Sequence, residues 1–129
     1  MKTSKRFACG VLPVVVVLLG TLMGRPGAMA AEDKEQELIA VLRSDAPPQD
    51  KAITCKRLAI YGTKDAVPAL AALLPDKDLS SWARIALEVI PDPTADQALR
   101  EAMDKVEGRL LVGIINSIGV RRDDRAVDQ

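Results

Sequence analysis

The feature that most constrains this chain is an internal repeat. Residues 55–70, CKRLAIYGTKDAVPAL, return 29 positions later as RIALEVIPDPTADQAL, residues 84–99. Leu58 falls on Leu87, Ala66 on Ala95, Ala69 on Ala98 and Leu70 on Leu99, and the breaker Gly62 falls on the breaker Pro91. A third copy follows 28 residues on, with Ile115, Ile118 and Gly119 in the places of Leu87, Ile90 and Pro91. Apolar residues recur at helical spacing in each copy, and none alternates over a whole segment. Each unit is therefore two short helices and a turn. One such pair cannot bury its apolar face alone, so a period of about 30 residues predicts an all-α solenoid of stacked antiparallel helix pairs.

The stripes and breakers predict helices over 34–43, 51–61, 66–74, 79–90, 93–106 and 109–118. Pro47-Pro48 ends the first. Asp50, Asp65, Asp78 and Asp92 stand where N-caps are needed, Asp92 being followed by Pro93 at the first helical position. Gly62 and Gly119 are expected to stop their helices, Gly62 in the left-handed conformation. Arg121 to Asp124 reads as a solvated turn with weak local ion pairs. Arg125-Ala126-Val127 repeats the opening of the earlier partner helix, so the last repeat is expected to be incomplete. With little to cover it, a strip of apolar surface is expected to stay open along Arg109 to Ile118.

Residues 1–30 read as a secretory signal. Lys2, Lys5 and Arg6 precede the apolar run Val11 to Met23, and Ala28-Met29-Ala30 fits a small-x-small cleavage site. The alternative, an uncleaved anchor, has only 17 residues from Phe7 to Met23, interrupted by Gly10, Pro13 and Gly20. The resulting plan is a signal at 1–30, an N-terminal helix and Pro-rich linker at 31–49, and a repeat domain at 50–129. The protein is expected to be exported, to the periplasm or the exterior, and to meet the membrane only in transit.

Formal net charge is zero over the 129 residues, but the first 30 hold four bases and no acid. Removing them leaves 14 basic against 18 acidic residues, a net charge near −4. That balance argues against nucleic acid, which needs clustered Lys and Arg. Phe7, Tyr61 and Trp82 are the only aromatics, too few for base stacking. Histidine is absent, which removes the commonest general base and metal ligand.

No CxxC, HExxH, GxSxG or Gly-rich phosphate loop occurs. The run from Asp76 has Ser81 where a calcium loop needs glycine and Leu87 where it needs glutamate. No catalytic, cofactor or metal residue is assigned. Cys55 is alone once Cys9 leaves with the signal, and its place on an apolar helix face reads as a small buried hydrophobe. Trp82 falls on the packed face by its spacing to Leu79, Ala86 and Val89, and is also the one large aromatic able to anchor a partner. With Leu110, Leu111, Ile114, Ile115 and Ile118 of the last helix, it forms the candidate interaction surface.

The paired helices, the Gly62 or Pro91 break and the Asp-Ala-Val-Pro-Ala-Leu opening at Asp65 to Leu70 resemble HEAT-like repeats, in the short variety also found in phycobilin lyases. The resemblance covers Asp50 to Val127. It implies a right-handed solenoid whose groove, lined by the second helices, receives a partner. A non-catalytic protein-interaction scaffold is the first expectation, with self-association through the open carboxy-terminal end. A lyase or isomerase acting on tetrapyrroles is the alternative from another class, and a fragment of a longer repeat protein is a third. Amino-terminal sequencing of the exported protein should find Ala31 first; Met1 in a membrane fraction would refute the signal.

Overall fold

The computed structural model describes residues 26–128. The chain runs α1 (Pro26–Arg43), α2 (Pro48–Tyr61), a 3₁₀ turn (Lys64–Ala66), α3 (Val67–Ala71), α4 (Ser80–Val89), α5 (Pro93–Met103), α6 (Gly108–Arg121) and a second 3₁₀ turn (Asp124–Asp128). Among the described residues every regular element is helical. Helices α2, α4 and α6 pack side by side in one layer, and α1, α3 and α5 form the other. This is the stack of helix pairs that the repeat predicts.

The core sits between the layers and is built from repeat-equivalent side chains. Leu58 and Leu87 are fully buried, as are Leu70 and Leu99. Leu38, Ile39 and Leu42 of α1 belong to the same continuous core. Helix α1 is thus part of the stack, and packing does not break at residue 50.

Several helix ends differ from the sequence expectation. Helix α1 begins at Pro26, eight residues before the expected start at Lys34. Ala30 and Ala31 favour helix, and two contacts tie the helix to the end of α2. The buried Glu35 carboxylate accepts from the Thr63 amide at 2.6 Å and from its hydroxyl at 3.0 Å. Lys34 lies 4.5 Å over the Tyr61 ring. The expected cleavage point after Ala30 falls inside this helix; the charged and apolar parts of the expected signal lie outside the described residues.

Helix α2 starts at Pro48, whose missing N–H needs no partner there, so Asp50 sits in the first turn rather than at the cap. Thr63, not Asp65, caps the next turn, its hydroxyl accepting from the Asp65 amide. Asp76, not Asp78, holds the turn into α4, accepting from Asp78 and Leu79 amides at 2.8 and 3.0 Å. Asp92 caps α5 as expected, accepting from the Thr94 amide at 2.9 Å.

Gly62 is not left-handed: its φ and ψ are −72° and 139°. Glycine is needed for a different reason, since a Cβ would overlap the Leu58 carbonyl oxygen. Helix α6 runs through Gly119 to Arg121 and stops at Arg122, which is left-handed at φ 55°. The longer helix carries the Arg121 guanidinium back to the end of α4, as described below.

The register of the first two copies makes Leu87 a shared core position and Lys77 an exposed one. Leu87→Ala should lower the unfolding free energy by about 2–5 kcal/mol. Lys77→Ala should stay within about 0.5 kcal/mol. Equal small shifts in the urea midpoint would mean that this register does not govern the core.

Candidate functional site

Helix α6 has a partner layer on one side only. Its Ile114 and Ile118 are buried against the stack, so neither belongs to an open surface, contrary to the expected strip. Their burial follows from spacing: residues four apart share the face that meets α4 and α5. Leu110 and Leu111 are half-buried. Ile115, the counterpart of the fully buried Leu87, is 51% exposed. The difference has a geometric cause, because the element after α6 is a short 3₁₀ turn rather than a full helix.

Ile115 and Met103 face a recess of about 450 Å³ closed on its far side by Ala126 and Val127. Charge rims it at Arg122 and Asp124. Two partly buried ion pairs lie at this end of the molecule. Arg100 pairs with Asp123, whose side chain is 5% exposed. Arg121, 8% exposed, pairs with Asp96. The guanidinium of Arg121 also donates to the carbonyls of Leu87 and Ile90 at 2.7 Å each, and to Glu88 and Asp92 at 3.2 and 3.1 Å. It therefore plugs the carboxy-terminal end of α4, where helix carbonyls have no partners of their own. The expectation of a solvated turn is corrected here: Arg121 and Asp123 are partly buried in ion pairs with other helices, while Arg122, Asp124 and Arg125 are exposed. Local spacing could not reveal this, because the partners lie 23 to 34 residues upstream.

Trp82 is also displaced from its expected place. It is 36% exposed on the outer side of α4, with the Lys56 ammonium 5.6 Å from its ring centroid. Leu79, Ala83, Ala86 and Ile90 bury the adjoining face of the same helix, so Trp82 sits at the edge of the packed stripe. Nine of the eleven large exposed hydrophobics among the described residues lie on α2, α4 and α6, including Ile53, Ile60, Ile85, Val89 and Val112. The second helices α3 and α5, which the resemblance made the binding face, expose Pro68, Thr94, Gln97 and Glu101 instead. The first-helix layer is the apolar one.

The sequence profile of HEAT repeats matches residues 35–127. The chain belongs to the HEAT repeat family. No curated protein and no solved structure matches it. The profile takes in α1 from Glu35 onward, in keeping with the continuous core of this HEAT stack.

Asp92 lies below the usual carboxylate range because the Thr94 hydroxyl and then its amide bond to the charged form. Cys55 is fully buried, and desolvation pushes its thiol up to about 11. Among the described residues no group of three His, Cys, Asp or Glu side chains could hold a metal ion, and no helix is long and apolar enough to cross a membrane.

Arg121→Met should lower stability by about 3–5 kcal/mol, because it strands Asp96 and the α4 carbonyls without a donor. Arg122→Ala should cost far less; equal losses in calorimetry would remove the plug from the account. Cys55 makes a separate prediction about pH. Its unfolded thiol ionises near 9.0 while the folded thiol stays protonated to about 11. Stability should therefore be intact below pH 9.0 and fall as pH rises toward 11. Cys55→Ala should remove that slope from urea midpoints measured across the range.

Proposed function

We propose that this protein is an exported, non-catalytic scaffold that binds another protein through its first-helix layer. The observation that carries the reading is the one-sided exposure of apolar side chains on α2, α4 and α6. A contiguous apolar face on a soluble chain is normally covered by a partner. Membership of the HEAT repeat family supports the reading, since stacked repeats offer extended surfaces of this kind. Export is supported by the order of charges, apolar run and small residues in the first 30 positions. The end recess at Ile115 extends the same face and supports self-association as a second mode of contact.

The partner contacts Trp82, Ile85 and Val89 as its apolar anchors, with Lys56 and Arg57 setting orientation from the rim. A photocrosslinking residue at Val112, in cells producing the full chain, should give one dominant adduct. Ile85→Asp with Val89→Asp should abolish it. The same crosslinker at Gln97, on the opposite layer, should give none. Adducts of equal yield from both layers, or adducts insensitive to the double change, would show that this face is not the docking surface.

A further inference from the structure

A second cleft lies between the beginnings of α4 and α6, and its chemistry differs from that of the apolar face. Its volume is about 400 Å³, and Lys77, Arg84 and Arg109 all line it. No carboxylate is among its lining residues. The two helices run parallel here, since Arg84 meets Gly113 and Glu88 meets Ser117 at one common offset. Both helices therefore start at the cleft; Asp76 holds the amides that lead into α4, while α6 has no side-chain cap on its first amides.

Arg84 is fixed and half-committed. Its Nη1 donates to the Gly113 carbonyl at 2.8 Å and to the Ser117 hydroxyl at 2.9 Å. A Cβ on Gly113 would lie 2.8 Å from Cζ, 2.9 Å from Nε and 3.0 Å from Nη2. The guanidinium thus lies against Gly113, and among the described residues its Nε and Nη2 donate to no protein acceptor. Neither ion pair among the described residues uses Arg84. The Nε–Nη2 edge presents two parallel donors, the fork that matches two oxygens of one anion.

Ser80 supplies an independent sign of a ligand. It is 2% exposed, it lines the cleft, and its hydroxyl is the one buried side-chain polar atom among the described residues without a hydrogen-bond partner. An unpaired buried hydroxyl is costly, and a bound oxygen would relieve it.

We infer that this cleft binds a small phosphate-bearing ligand, held by Lys77, Arg84 and Arg109 and by the start of α6. Three cations in a lining without a carboxylate suit a dianion better than a single carboxylate. The uncapped start of α6 adds donors with the right polarity for phosphate. Leu110 and Val112 on one wall leave an apolar place for the organic part of a phosphate monoester.

The test is a titration of the full chain with inorganic phosphate and phenyl phosphate at constant ionic strength, followed by amide resonances and by fluorescence of Trp82. Saturable shifts centred on Ser81, Arg109 and Leu110, tighter for phenyl phosphate, are expected. Lys77→Gln with Arg109→Gln, both exposed and outside the core, should weaken binding about tenfold or more. Ser80→Ala should stabilise the free protein yet shrink the rise in Tm that phosphate produces. Shifts that are absent, that chloride reproduces, or that survive the double change would overturn the inference. Tighter binding of an acidic peptide than of phenyl phosphate would overturn it as well.

Discussion

The guanidinium of Arg121 is the contact on which the carboxy-terminal half of the stack depends. One side chain satisfies four carbonyls around the end of α4 and both oxygens of Asp96 at the start of α5. It thus joins the end of one helix, the beginning of the next and the end of a third. Only arginine can do this, because its donors spread over a rigid plane while a lysine ammonium is a point. Burial makes the arrangement strong and unforgiving. The same low-polarity surroundings that strengthen the pairing would punish the loss of either partner.

Polar contacts one repeat apart recur through the molecule. Glu35 reaches Thr63, Arg84 reaches Gly113, Glu88 reaches Ser117 and Arg121 reaches the end of α4. Apolar packing alone allows helices to slide, since it is non-directional. A hydrogen bond between named atoms in successive units fixes how one pair sits on the next. These contacts set the relative register of helices whose cores are otherwise built from interchangeable Leu, Ile and Ala.

That register explains why the functional surfaces fall where they do. With the inner sides of α2, α4 and α6 committed to the core, their outward positions form one face, and apolar residues occupy it. At the beginnings of α4 and α6 the same parallel alignment gathers basic side chains instead. An apolar face and a basic cleft are thus neighbours on one layer. The other layer, through α3 and α5, presents mainly polar side chains to solvent.

The sequence by itself determined the class of fold, the repeat period, the helix pairing and most of the core. A buried Leu, Ile or Ala at fixed spacing leaves a periodic record, so Leu58, Leu70, Leu87 and Leu99 were legible as equivalent positions. Tertiary structure decided what depends on neighbours distant in the chain. Ile115 matched Leu87 in sequence but lies exposed, because burial depends on what packs next and not on the residue itself. Trp82 fitted an apolar stripe yet sits at its edge. Arg121 and Asp123 resembled a solvated turn, but their partners come from other helices. The Arg84 cleft was invisible for the same reason: Lys77 and Arg109 are far apart in sequence and meet only when α4 and α6 align.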